Sequence, residues 1–318
     1  MRAIHITSTG GPDAVELVEI PVPPANGGVL VQVEAAGVAF PELLQSRGQY
    51  QIQPPLPFVP GAEFAGVVAE APANSGFAPG DRVAAIAMGG GFAEYAVAPV
   101  SQTFGLPDSV SFEAGASFMF NYGTSYFALV TRGRLAAGET VLVHGASGGI
   151  GTSAIHIAKA FGASRVIAVT STEEKGAVAL AAGADEFVLA EGFKDAVLER
   201  GGVDIVVDPV GGHRFTDSLR CLKPEGRLLV IGFTSGDIPE VKVNRLLLNN
   251  ISVVGVGWGA YEMARPGTMR VQYESMLPHL ADGSLAPVAG PSFDLADAAA
   301  ALGALDRREA TGKITLRV

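Results

Sequence analysis

The chain has 318 residues, of which 48% are hydrophobic and 17% charged, and a net charge of -10. At roughly 150 residues per domain that length predicts two domains, and the apolar share is too high for a disordered chain. The acidic balance disfavours a nucleic-acid partner, which needs a basic face, and the one cysteine, Cys221, excludes an internal disulfide and a thiolate zinc cage.

The histidines His5, His144, His156, His213 and His279 show no metal-ligand spacing, so no metal is expected. The N-terminal MRAIHITSTGG lacks a signal pattern, and no window approaches the ~18 apolar residues of a membrane span. The expected location is cytoplasmic, without a membrane partner.

Residues 1–119 read as an irregular β domain. Residues 29–35 (VLVQVEA) alternate, 64–71 and 82–87 are short apolar runs, and PVPPANGG, PPLPFVPG, FAPGD and MGGGF punctuate them. Over 120–261 the rhythm changes to strand followed by helix. Strands are predicted at 140–144, 166–169, 186–189, 203–208, 227–231 and 251–256, with helices after the first, near 173, at 193–200 and at 213–222. Near-continuous apolar strands alternating with helices predict a parallel sheet covered on both faces, an α/β fold. Residues 262–318 hold two helical stretches, 268–282 and 295–308, and a terminal strand 313–318. That strand needs a sheet to join and is expected to return to the β domain.

The informative stretch is VLVHGASGGIG, residues 141–151, which admits two readings. GASGG satisfies the nucleophile-elbow pattern of a serine hydrolase, with Ser147, Asp208 and His279 in the expected chain order. Gly145, Gly148 and Gly151 satisfy a dinucleotide loop, in which glycines allow a sharp turn, close approach of pyrophosphate and tight helix packing. The second accounts for Gly151 and for the preceding β domain, and is preferred. It places Ser147, Gly148, Gly149, Ile150 and Gly151 around the phosphates.

The second strand closes as VIAV and runs into TSTEEK, with no acid at Thr170 or Ser171. A carboxylate there would repel the extra phosphate of NADP, so NADPH is the expected cofactor, with Ser171 and Lys175 at its 2'-phosphate. Thr172 is an alternative donor to Ser171; a second reading has Ser171 capping the helix, Glu174 completing the box and Lys175 solvated, and Glu173, beyond the strand end, keeps NAD as the minority alternative. Gly232 and Phe233 follow a parallel strand, where cofactor sites collect.

AAGVAFPELLQSRGQY, FVPGAEFAGVV, GDRVAA, YGTSYFAL, VLVHGASGGIG, GADEFV, DPVGG, EGRLLVIGF and GKITL occur in this order. On these stretches the chain resembles the zinc-free quinone oxidoreductase branch of the medium-chain dehydrogenase/reductase superfamily. The resemblance implies a GroES-like catalytic domain completed by the C-terminal segment, a Rossmann NADPH domain, and hydride transfer to a quinone or to the double bond of an enone. It also implies a homodimer. Zinc-dependent relatives carry GHE where this chain has Gly61, Ala62 and Glu63. By the same resemblance Tyr50 stands where related enoyl reductases place a catalytic tyrosine, and Thr124 matches a threonine that meets the nicotinamide. Two positions depart from the family: Ala39 replaces an asparagine in GVNxxD, whose acid is Glu42 here, and Ala190 replaces a tyrosine beside the adenosine. A cofactor-binding protein with little catalysis is therefore a further alternative.

Overall fold

The computed structural model describes residues 1–318, which form two compact units. The first takes residues 1–120, 269–281 and 286–318, and the second takes 121–268 and 282–285.

In the first unit β1 (Arg2–Ile6) pairs antiparallel with β2 (Val15–Glu19). The long β3 (Val29–Gly37) is buried at every position except Gln32 and Glu34, and it pairs antiparallel with β4 (Glu63–Glu70). Beyond β4 lie β5 (Arg82–Ile86) and, past β6 (Tyr95–Ala98), β7 (Thr103–Gly105); β6 itself pairs with β3. Val29, Val31, Phe64 and Phe92 from these strands and the turns between them, with Leu43 of helix Phe40–Ser46, form a core that is shut off from water.

The second unit is built on β8 (Thr140–His144), β9 (Arg165–Thr170), β10 (Glu186–Leu189), β11 (Val203–Asp208), β12 (Leu222–Val230) and β13 (Ser252–Gly255). All neighbours run parallel in the order β10-β9-β8-β11-β12-β13. Val141, Leu142, Val143, Ile205, Val206 and Val207 are fully buried, as strands covered on both faces require. The chain leaves β8 toward one side and reaches β11 on the other, so the strand order reverses between them. This is the Rossmann arrangement, and the crevice at the carboxyl ends of β8 and β11 is where such sheets take ligands.

The C-terminal segment returns as expected. β14 (Ala289–Asp294) pairs parallel with β15 (Lys313–Arg317), and β15 pairs antiparallel with β3, completing the GroES-like unit. The return begins at Met269 rather than 262. Helix Trp258–Ala264 stays in the second unit, where the Trp258 ring lies against Gly123 and Tyr261 packs on Phe127 at 4.8 Å between centroids.

Residues 112–132 form an irregular helical run ahead of β8, with π-type segments Met119–Gly123 and Phe127–Arg132 flanking Thr124–Tyr126. The run is apolar on nearly every side, so it carries no amphipathic period to read. The cap of helix Glu173–Ala181 is also one residue later than expected. Thr172, not Ser171, accepts from the Lys175 N–H at 3.3 Å.

Candidate functional site

In the second unit the loop after β8 assigns each glycine a different physical task. Gly145 has φ +58°, a left-handed turn favourable to glycine, and its carbonyl accepts from Gly148 N at 3.0 Å. A Cβ on Gly151 would lie 2.2 Å from the Gly145 carbonyl oxygen and 2.5 Å from Ala146 Cα, so glycine is what lets helix Gly149–Ala160 pack on the loop. A Cβ on Gly148 would meet nothing nearer than 3.5 Å. Its backbone therefore borders open space at the helix N-terminus, where the first-turn N–H groups have no intrahelical acceptor. A turn, an open face and a tight packing point are the three requirements of a diphosphate cradle.

Across the crevice, the Asp208 side chain accepts from Val210 N and Gly211 N at 2.9 Å each and so folds the loop after β11. Thr234 N and Ser235 N donate to the Pro209 and Val210 carbonyls at 3.2 and 2.9 Å, and the Phe233 ring lies against Gly211. Gly232 and Phe233 are thus gathered at the sheet end occupied by Gly145. Thr124 is buried, and its neighbour Ser125 shares a 2.7 Å hydrogen bond with Ser153, joining the irregular run to the loop-helix. Ser171 is exposed beyond β9, while Thr170 turns inward and donates to the Thr172 carbonyl at 3.1 Å. Lys175 is half-buried one turn further on. All the expected cofactor residues therefore belong to the second unit, whereas Tyr50, the expected catalytic residue, belongs to the first.

Tyr50 is half-buried in the segment after helix Phe40–Ser46. Burial first, and then the Glu42 charge, hold its phenol above the ordinary acidity range, so it stays protonated. Glu42 accepts from Ala39 N at 3.0 Å and from Ala62 N at 2.9 Å, tying the start of the helix to the residue before Glu63.

Sequence reasoning missed the ionic cluster behind this clamp. Glu63 and Lys313 are only 2% and 5% exposed and pair at 3.2 Å, while Glu63 also accepts from Phe120 N at 2.8 Å. Lys313 reaches the pair past Gly37, whose Cβ would lie 2.8 Å from the lysine stem. Burial pushes Glu63 up to about 7, against the opposing pull of Lys313. No spacing rule could link β4 to β15 before the returning strand was placed.

Two family models match this architecture: the alcohol dehydrogenase GroES-like domain over residues 25–108 and the zinc-binding dehydrogenase over 149–272. Quinone oxidoreductase-like protein 2 of Rattus norvegicus is 38% identical, covering 91% of this chain and 84% of its own. Quinone oxidoreductase of Homo sapiens is 35% identical over 80% of each chain. The quinone oxidoreductase of Thermus thermophilus, solved also in complex with NADPH, is 36% identical and superposes over 100% of both chains with a TM-score of 0.87. The chain belongs to the quinone oxidoreductase family of the medium-chain dehydrogenase/reductase superfamily. As a member of that family it is an oxidoreductase, and no helix is long and apolar enough to cross a membrane.

A hydrolase triad finds no support at the same loop. Ser147 is 7% exposed and has no hydrogen bond to a histidine. His144, beside Asp208 in the sheet register, pairs through Nε2 with Ser218 at 2.8 Å, and burial drops its pKa to about 4.

Proposed function

We propose that this family member is an NADPH-dependent reductase of quinones, with enones as the second acceptor class, and that it works without zinc. The observation that carries the cofactor preference is the end of β9. Thr170, Ser171 and Thr172 carry no carboxylate that would repel a 2'-phosphate, the exposed Ser171 offers a hydroxyl, and the Lys175 side chain adds the charge. The loop glycines fit a diphosphate, and the similar Thermus thermophilus enzyme forms a complex with NADPH.

Bound reduced nicotinamide supplies the hydride. Ser147, Gly148, Gly149, Ile150 and Gly151 hold the phosphates, Thr124, Gly232 and Phe233 orient the nicotinamide end, and Ser171 with Lys175 selects the 2'-phosphate. Tyr50 donates a hydrogen bond or proton to the acceptor oxygen as it gains charge, a task suited to a phenol kept protonated by burial and by Glu42. Zinc independence rests on ligand chemistry. Ala62 stands at the ligand position, and Cys221 sits in the core of the second unit, its thiol pushed up to about 12 by burial.

The chain is proposed to pair with a second copy of itself. Ile238, Val243, Leu247 and Leu248 are 70–76% exposed beside β13, an edge strand whose outer hydrogen-bonding groups would continue the sheet into a two-fold-related partner. Sedimentation of Leu247→Glu as a monomer, with the wild type twice the mass, is the expected result.

The function is tested by following NADPH absorbance with a simple quinone and an enone in parallel, with NADH as control. Consumption of NADPH in preference to NADH with either acceptor is expected. A second reading, a binding protein with little turnover, is favoured by Ala39 and predicts NADPH binding without consumption.

A further inference from the structure

The irregular helical run meets the N-terminal end of helix Gly149–Ala160 at one side chain, Asn121. The residue is 6% exposed. Its backbone carbonyl accepts from Ser153 Oγ at 3.2 Å, but its carboxamide makes no hydrogen bond within the protein. On a residue so nearly enclosed, a carboxamide with no bond to the protein leaves donor capacity open to whatever reaches it.

The amide also has a defined direction. A Cβ built on Gly149 would lie 2.5 Å from Asn121 Nδ2 and 3.2 Å from both Cγ and Oδ1. Because Cα–Cβ bonds on a helix tilt toward its N-terminus, an atom pressed on that position lies over the open end of the helix, beside the first-turn N–H groups. The loop GASGGIGTS contains no lysine or arginine, so an anion bound there depends on neutral donors.

Asn121 is held rigidly for such a task. Ser153 bonds both to the Asn121 carbonyl and to Ser125, and the hydroxyl of the next residue, Tyr122, is 2.7 Å from His156 Nδ1. These bonds fix the run to the second and third turns of the same helix. Little side-chain freedom remains to be lost when a ligand arrives.

We propose that Asn121 is an additional cofactor-binding residue, whose Nδ2–H donates to a diphosphate oxygen of the dinucleotide at the Gly149 end of the helix. This rests on the dinucleotide reading above and adds to it a donor outside the glycine loop. It also explains Gly149, since any side chain there would displace the amide.

The test is equilibrium binding to the full-length protein of NADPH, NADH, ADP-ribose and adenosine 2'-monophosphate, for the wild type and for Asn121→Leu, which preserves size and removes the donor. Loss of a hydrogen bond to a charged group predicts about tenfold or more weaker binding of NADPH, NADH and ADP-ribose, which share the diphosphate, and unchanged binding of adenosine 2'-monophosphate, which lacks it. Asn121→Asp should weaken the first three further, most at low salt. If the leucine variant melts early, Asn121→Ser supplies the same comparison with a shorter reach. Wild-type affinity in Asn121→Leu, or equal weakening of all four ligands, would overturn the role of Asn121 alone. Absence of dinucleotide binding by the wild type would overturn the cofactor reading and this role with it.

Discussion

The buried Glu63 predicts a stability profile of unusual sign for a carboxylate in an ion pair. Its pKa rises from an ordinary 4.5 to about 7, because loss of hydration outweighs the Lys313 ammonium and the Phe120 N–H. Between those values the folded chain keeps a proton that the unfolded chain releases, so raising the pH favours unfolding. The contribution is complete below about pH 4.5, is lost as pH rises to about 7, and amounts to about 3 kcal/mol at 1.36 kcal/mol for each pH unit between the two values. Burial also raises Glu42, which acts in the same direction.

Two units make global unfolding a poor probe, so the measurement is amide hydrogen exchange of β3, β4 and β15 between pH 5 and 8, corrected for intrinsic rates. Protection should fall as the pH rises. Glu63→Gln should flatten the dependence, and should lower protection chiefly toward pH 8, where wild-type Glu63 is ionised and its loss leaves Lys313 buried without a counter-charge. Lys313→Met, by removing the favourable charge, should extend the fall above pH 7. A flat or rising wild-type profile, or an unchanged slope in Glu63→Gln, would refute the assignment of the pH dependence to this pair.

Other outcomes follow from the loop and from the two expected polar contacts. Gly151→Ala should lower the melting temperature and abolish NADPH binding, since its Cβ would strike backbone, whereas Gly148→Ala should melt normally and still weaken binding. Melting curves and NADPH titrations of the pair check this. Lys175→Ala should reduce the preference for NADPH over NADH about tenfold, the scale of one partly exposed charge-assisted bond, read from the two kcat/KM values. Tyr50→Phe should lower kcat by about two to four orders of magnitude while leaving NADPH affinity intact, as loss of a proton donor does.

The parallel sheet was legible because strands buried on both faces must be apolar throughout, and VLVH, VIAV and VDIVVD nearly are. The same pattern could not reveal the run at 112–132, where apolar residues surround the helix and π-type segments break its period. β1 and β2 escaped notice for the opposite reason. RAIHI and VELVE mix exposed and buried positions in short strands without a tight turn between them. The geometry of the glycine loop was readable since its turn and packing point fall on nearby residues, whereas Glu63 with Lys313, and Asn121 with Gly149, are pairs made only by tertiary packing.

The pentapeptide GASGG shows what sequence pattern omits. Its glycines are compatible with a strained elbow presenting a serine or with a cradle presenting backbone amides, and the two differ in which atom faces open space. A nucleophile must be exposed and within reach of a base, but Ser147 is buried and Asp208 spends its carboxylate on the amides of Val210 and Gly211. The open position belongs to Gly148, at the head of a twelve-residue helix and beside the point where the strand order reverses. An anion gains there from several N–H groups at once, whereas an acyl substrate would find no histidine to take the serine proton. Backbone access, more than the identity of the loop residues, favours dinucleotide chemistry over hydrolysis.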